Sequence, residues 1–137
     1  LLSVPEDENL WRMRRLRSRH GEPISYHVSY GTRESKSLMK KKDFKGTGSL
    51  IEMLQKRFPR KIIRIEQHLE ATIADMDIAK ILHIQFGDPI FFMEHLYIDA
   101  LEKIVAVTHL FMRADRYRYS ISIDLESIGD KNLPSLT

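Results

Sequence analysis

Arginine is concentrated in one short stretch near the start of the chain, where it occupies five of eight positions. These positions are Arg12, Arg14, Arg15, Arg17 and Arg19. Side chains alternate between the two sides of a strand, so Arg15 and Arg17 share one side with Trp11 and Met13. Guanidinium donors are planar, always charged and suited to gripping phosphate or carboxylate. The stretch is a candidate anion site, although a solvated strand face with acidic partners has the same pattern.

A second candidate anion site is the glycine-rich segment Lys45-Gly46-Thr47-Gly48-Ser49. Ser49 and Glu52 form a capping box, in which the serine hydroxyl accepts a hydrogen bond from the third backbone N–H of a helix. The N–H groups and partial positive charge at a helix N-terminus favour anions. The segment lacks the Gly-Lys-Ser/Thr ending of a P-loop, so taken alone it is more typical of an ordinary turn before a helix.

The sequence contains no catalytic constellation. Its six histidines include no helical pair at metal-ligating spacing, and it has no Gly-x-Ser-x-Gly elbow. The absence of cysteine excludes disulfides, thiolate nucleophiles and cysteine-based metal sites, and it fits a cytoplasmic setting. We therefore predict neither an enzyme nor a bound metal or other cofactor. The lysine run 40–42 has no interleaved aromatic residues and is interpreted as solvated surface.

The composition is that of one soluble globular domain without a membrane partner. The chain has 137 residues, of which 42% are hydrophobic and 30% charged. No apolar run approaches the roughly 20 residues that cross a bilayer. The net charge of +3 is too small to argue for nucleic-acid binding by itself.

The chain contains an internal repeat, revealed by sliding the sequence along itself by 80 residues without a gap. The matched pairs include Leu2 with Leu82, Trp11 with Phe91, Met13 with Met93, Leu16 with Leu96, Glu22 with Glu102 and Ile24 with Ile104. Each copy has two runs of β-branched and aromatic residues around a polar turn, which predicts a β-hairpin. The predicted strands are 10–18 and 24–30 in the first copy and 89–98 and 104–112 in the second.

Four further elements follow from local patterns. We predict a helix from residue 50 to about 57 closed by Pro59, a strand over 60–69, and a helix over 72–82 with Asp75 and Asp77 as first-turn charges. Strict alternation predicts another strand over 117–125. The tail 127–137 is expected to be loosely held. The first copy begins where the second copy has the end of a helix, so we expect an upstream helix and a chain cut from a longer protein.

Several short stretches together resemble a known family. They are Leu16-Arg17, Gly21-Glu22-Pro23-Ile24, Ser29-Tyr30, Gly48-Ser49-Leu50 and Arg113-Ala114-Asp115-Arg116-Tyr117-Arg118-Tyr119. They resemble the effector-sensing UTRA domain of GntR-type bacterial transcription regulators, HutC subfamily, whose signature Arg-Gly-Asp-Arg-Tyr-x-Phe is similar to the last stretch. The resemblance implies a chorismate-lyase-like α+β fold over residues 1–126, a mainly antiparallel sheet with helices packed on it in two related halves.

The same resemblance implies a function for the domain. The complete protein would dimerise and bind operator DNA through a winged helix-turn-helix that is absent from these residues. A small anionic metabolite, a phosphorylated sugar or a carboxylate, would bind here and change the affinity for DNA. The positions that match the family's anion site are Arg15, Arg17 and Ser49, with Leu50 and Ile51 next to the serine. The alternatives are a chorismate-lyase-like enzyme on the same fold and a free-standing interaction or nucleic-acid module.

Departures from the family pattern bear on the ligand. Ile51 stands where relatives often have Tyr, and His27 stands where many have Glu. Ala106 and Met112 stand where they often have Glu and Tyr, with Thr108 between them on the same strand face. Each exchange removes a group that hydrogen-bonds sugar hydroxyls. We therefore expect an anionic head on a more apolar or less hydroxylated body, bound at Arg15, Arg17, His27, Ser49, Leu50, Ile51, Ala106, Thr108 and Met112.

Overall fold

A computed structural model describes residues 11–40, 42 and 49–127. The elements are β1 (Trp11–Arg19), β2 (Glu22–Gly31), α1 (Arg33–Lys36), α2 (Leu50–Arg57), β3 (Ile62–Ile73), α3 (Met76–Leu82), β4 (Pro89–Asp99), β5 (Ile104–Arg113) and a 3₁₀ turn (Leu125–Ser127). The strands form one antiparallel sheet in the order β1-β2-β5-β4-β3. The predicted α+β class is confirmed. Of the helices in these residues, none has the length and apolarity to cross a membrane.

Both predicted hairpins form, and they differ in their turns. His20 and Gly21 have φ values of 52° and 77°, the two positive angles of a tight type I′ turn. In the second hairpin the backbone N–H of Asp99 donates to Lys103 O at 2.9 Å around three residues. The extra residue shifts the repeat, since Arg17 pairs with Ser25 whereas its counterpart in β4 pairs with Ala106. The offset of 80 therefore holds for β1 and β4 but is one too small for β2 and β5.

A hydrophobic cluster lies on each face of the sheet. The first contains Trp11, Met13, Met53, Leu54, Phe58, Ile62, Tyr97, Val105 and Ala106, and it seats helix α2. The second contains Ala74, Ile78, Ala79, Leu82 and Ile90, and it seats helix α3. Trp11 anchors the first cluster, because its indole lies over Gly31, where any Cβ would collide with the ring. The indole Nε1 also donates to Ser35 Oγ at 2.7 Å.

Several predicted boundaries are corrected. Helix α2 has the predicted bounds, but the Ser49 side chain makes no capping hydrogen bond. Strand β3 continues to Ile73, and α3 starts only after Asp75, whose carboxylate accepts from Ile78 N at 2.8 Å. The predicted strand over 117–125 is wrong, since residues 117–124 form neither helix nor strand. Residues 1–10, 41, 43–48 and 128–137, which include the start of the repeat, most of the glycine-rich segment and the predicted tail, lie outside the described residues.

The signature-like segment after β5 clamps the sheet to the first hairpin turn. The Arg113 side chain is 10% exposed, donates to both Asp115 carboxylate oxygens at 3.1 and 2.8 Å, and donates to Glu22 Oε1 at 2.6 Å. These bonds raise the pKa of Arg113. The motif is therefore structural in this chain.

Replacing Arg113 with methionine should lower the free energy of unfolding by about 2 kcal/mol. The substitution removes charge-assisted hydrogen bonds, while the two exposed carboxylates that lose their partner can be rehydrated. Urea denaturation measures the change. Arg116→Met is the matched control, because Arg116 is exposed and bonds Glu22 but not Asp115. Equal losses of unfolding free energy in the two variants would contradict the clamp.

Candidate ligand-binding site

The predicted site residues of the sheet lie on the face that carries α2, called the α2 face below. Directly paired residues in antiparallel strands point to the same face. Arg15 pairs with His27, and Thr108 pairs with both Ser29 and His95. The same alternation brings to this face Arg15, Arg17, His27, Ala106, Thr108 and Met112. The sheet therefore assembles side chains that are up to about a hundred residues apart in sequence.

The two arginines of the α2 face differ in depth. Arg15 is half-buried, with its Nε atom enclosed by protein, whereas Arg17 is exposed. Arg12 and Arg14 lie on the opposite face and are exposed, so the predicted sorting of the arginines is confirmed. Arg15 is thus held in place by the fold, and Arg17 can approach a bound anion from the solvent side.

Helix α2 begins over the same face. Leu50 and Ile51, in its first turn, pack against the hydrophobic cluster that contains Met13. Met13 precedes Arg15 by two residues and therefore shares its strand face. Ser49 is the N-cap residue. The N-terminus of α2 and the half-buried guanidinium are consequently on one side of the sheet.

The three predicted β5 positions are buried. Ala106 is fully enclosed in the cluster beneath α2, so it serves to seat the helix. Met112 is 3% exposed and Thr108 is 5% exposed. Of the three, Thr108 is the one that brings a polar group to this face.

A chain of hydroxyl groups on the α2 face was not predicted. The Ser29 and Thr108 hydroxyls lie 2.9 Å apart, and Thr108 Oγ1 donates to the Tyr97 hydroxyl at 3.2 Å. Burial raises the pKa of Tyr97, which keeps the phenol protonated. The chain joins β2, β5 and β4, so it becomes visible only once the register of these strands is known.

Two histidines of the α2 face are held neutral. The pKa of His27 falls to about 4, chiefly because the ring is buried and also because Arg17, His95 and Arg15 are close. Burial likewise lowers the pKa of His95. His27 lies 3.1 Å from Ser25 Oγ, and His95 lies 3.1 Å from Gln67 Nε2. A neutral imidazole offers one donor and one acceptor, so both rings can pair with uncharged polar groups of a ligand.

The α2 face combines the cations Arg15 and Arg17 with a strip of neutral polar side chains, which are His27, Ser29, His95, Tyr97 and Thr108. The Ser29, Thr108 and Tyr97 hydroxyls of this face are buried and bonded to one another, so the expectation of a more apolar or less hydroxylated ligand body stays a prediction. Across the described part of the chain, no three histidine or acidic side chains are grouped to hold a metal ion. The arrangement is suited to binding an anion.

A separate open cavity of about 300 Å³ lies at the first hairpin turn. It is lined by Arg19, His20, Glu22, Ile24 and Arg116. The Glu22 carboxylate accepts hydrogen bonds from Arg113 and Arg116, which lower its pKa and keep it negative. Arg116, one of the two arginines in the wall, is already bonded to this carboxylate, so we place the candidate site on the α2 face.

The family-model comparison decides the classification. A model described as the UTRA domain matches residues 1–118, which is most of the chain. The chain belongs to the UTRA domain family. Its sheet and helices are therefore a UTRA fold, and the family resemblance seen in the sequence is confirmed. No curated protein sequence matches the chain.

Solved structures share this UTRA fold at low identity. A GntR-family transcriptional regulator from Enterococcus faecalis V583 has a TM-score of 0.79 at 21% identity, covering 89% of this chain and 86% of that chain. The effector-binding domain of the Bacillus subtilis trehalose repressor has a TM-score of 0.79 at 15% identity, covering 90% and 84%. The effector domain of PhnF from Mycobacterium smegmatis has a TM-score of 0.73 at 13% identity, covering 90% and 75%.

Proposed function

We propose that this UTRA domain is the ligand-sensing part of a bacterial GntR-type transcription regulator of the HutC subfamily. It binds a small anionic metabolite and does not act as an enzyme. The proposal is supported by the family and by the similarity of the fold to the effector domains of the trehalose repressor and PhnF. The regulator is cytoplasmic and works as a homodimer, and a winged helix-turn-helix elsewhere in the protein binds DNA.

The observation that carries the proposal is the half-buried Arg15 on the α2 face. Arg15 is paired with the neutral His27 and lies on the side of the sheet where α2 begins. The anionic group, a phosphate or carboxylate, binds Arg15 and the backbone N–H groups after Ser49, and Arg17 closes over it. The body of the ligand, less hydroxylated than a sugar, lies along the same face beside His27 and Thr108.

Binding changes DNA affinity through the position of α2. The helix rests on the same cluster as β1, so a ligand that bridges Arg15 and the α2 N-terminus favours one placement of the helix. Coupling between two sites typically amounts to about 1–3 kcal/mol, which changes operator occupancy several-fold or more.

A thermal-shift screen against sugar phosphates, nucleotides, amino acids and carboxylates tests the proposal. We expect an anionic compound to raise the melting temperature, and Arg15→Ala to weaken its binding by about 30-fold in calorimetry, since a charge-assisted hydrogen bond is worth about 2 kcal/mol. Arg14→Ala is the matched control, because it removes the same charge from the next residue on the opposite face.

Two results would count against the proposal. Equal binding by the Arg15 and Arg14 variants would remove the anion site from the α2 face. Conversion of chorismate to 4-hydroxybenzoate by the purified domain would support the enzyme alternative instead.

A further inference from the structure

Residues 117–125, called the arm below, have the pattern of a strand but form none. Apolar side chains occupy the odd positions and polar side chains the even positions, which is typical of a half-buried strand. Residues 117–124 nevertheless form neither helix nor strand. Tyr119 and Ile121 are 47% and 55% exposed. The arm therefore presents a strand-forming segment whose apolar side is open to solvent.

Strand β3 presents a matching surface. It spans 12 residues and, within the described sheet, pairs with β4 alone. Ile65 and Leu69 lie on the α2 face of β3 and are 39% and 41% exposed. A long sheet edge with exposed apolar side chains is a template for another strand.

We infer that the arm of one copy of the chain adds to β3 of a second copy as an antiparallel strand. Opposite charges are six residues apart on each segment, Arg118 and Asp124 on the arm and Arg64 and Glu70 on β3. One antiparallel register therefore pairs Arg118 with Glu70 and places Asp124 beside Arg64. Within its own chain Arg64 bonds Glu102 and Glu66, so the Arg118–Glu70 pair is the one that the charge argument depends on. A parallel arrangement over the same span would instead place like charges side by side, which is destabilising.

The same register also matches the apolar sides. It places Tyr119 beside Leu69 and Ile123 beside Ile65, on the α2 face of the extended sheet. The polar residues of the arm then fall on the other face with the polar side of β3. Alternation and charge thus agree on one register, which a one-residue slip would destroy by turning every side chain to the wrong face.

The second copy, rather than the same chain, is the partner. The Tyr117 ring lies 5.8 Å from the Phe91 ring of β4, the strand next to β3. The arm thus starts near its own β3 and still forms no strand with it. In a two-fold dimer each chain gives one arm and receives one, which covers the β3 edge of both chains. The inference rests on the proposed function in taking the domain as a dimer.

Sedimentation equilibrium of the 137-residue chain tests the inference. We expect a dimer of the 16.1 kDa chain, and Ile121→Asp should turn it into a monomer by placing a charge on the apolar side of the added strand. Ser120→Asp is the matched control, since it adds the same charge at the next residue on the polar side and should leave the dimer intact. A monomeric wild type, or a dimer that tolerates Ile121→Asp, would overturn the inference.

A mixing experiment separates exchange between chains from pairing within one chain. Arg118→Glu and Glu70→Arg should each weaken self-association about tenfold or more, because each homodimer then has two like-charged pairs. An equimolar mixture restores both opposite-charge pairs and should recover wild-type association. Both residues are exposed, so these variants remain informative if Ile121→Asp fails to fold. Failure of the mixture to recover would assign the arm to its own chain.

The effector screen and the association experiment read different surfaces. If the chain binds an anion through Arg15 but sediments as a monomer, only the arm exchange is contradicted. If the chain dimerises through the arm but binds no anion, only the proposed ligand-sensing role is contradicted.

Discussion

Replacing Asp99 with alanine is expected to lower the free energy of unfolding by about 4 kcal/mol. The Asp99 side chain is fully buried and accepts hydrogen bonds from Arg60 Nε at 2.7 Å and from the backbone N–H groups of Leu101 and Lys103 at 2.8 and 3.0 Å. Burial alone would raise the pKa of Asp99, but these bonds outweigh it and hold the pKa below its usual value. Three hydrogen bonds to a charged acceptor, each worth at least about 1.5 kcal/mol, are lost together.

The effect should extend to the ligand site. Arg60 also donates to both carboxylate oxygens of Glu34 at 2.9 and 2.8 Å, so it ties α1 to the β4–β5 turn. Arg60 follows the end of α2 by three residues. Loss of Asp99 therefore loosens the connection that holds α2 over the sheet, and we expect weaker anion binding even where the variant is folded.

Urea denaturation followed by the fluorescence of the single, buried Trp11 measures the change. Glu102→Ala is the matched control, because Glu102 lies in the same turn but is exposed and bonded to the exposed Arg64. Asp99→Asn should fall between the two, since the amide keeps one acceptor oxygen. If Asp99→Ala and Glu102→Ala were equally mild, the buried carboxylate would not be the organising group of this turn.

The hairpins could be predicted because their information is local. Alternation, β-branched residues and the turn at His20 and Gly21 are all readable within about twenty residues. The end of β3 could not be read in the same way, since Thr72 and Ile73 fit a strand or the first turn of a helix. The structure resolves the choice through Asp75, whose carboxylate caps α3 at Ile78 N. The sequence signal for the correct start of α3 was Asp75, a residue type that commonly caps helix N-termini.

The arm shows a different limit. Its alternation is genuine, but a strand needs a neighbour, and periodicity does not say which chain or edge supplies one. Prediction from the pattern alone therefore assigned a strand to 117–125, although residues 117–124 pair with no described strand of their own chain.

The grouping of the candidate residues on one face was predicted in part. Arg15 and Arg17 are placed together by strand alternation alone, whereas His27 was named through the family resemblance. Ser29, Tyr97 and His95 join them only through the pairing of β2 with β5 and of β5 with β4. That register is a long-range property, and the 80-residue offset misplaces it by one residue beyond the turn.

His27 should make the domain less stable below neutral pH. Its pKa in the folded protein is about 4, chiefly because of burial, against an ordinary value of 6.5. Between these values the unfolded chain binds a proton that the folded chain excludes, so stability is complete above pH 6.5 and falls as the pH falls towards 4. The loss from this group should be about 2 kcal/mol at pH 5 and about 3 kcal/mol at pH 4.

The contribution of His27 is separable from that of the carboxylates. Arginine hydrogen bonds lower the pKa values of five carboxylates, so the stabilisation they contribute is lost only at lower pH; these are Glu22, Glu34, Asp99, Glu102 and Asp115. Urea unfolding at pH 7 and pH 5 should therefore show a shallower decline for His27→Gln than for wild type. Ser25→Ala, which leaves the imidazole in place, should keep the wild-type decline. Parallel pH dependences of wild type and His27→Gln would mean that the ring is hydrated in the folded domain. The buried imidazole would then not exclude water from Arg15, and the attraction between Arg15 and a bound anion would not be strengthened by burial.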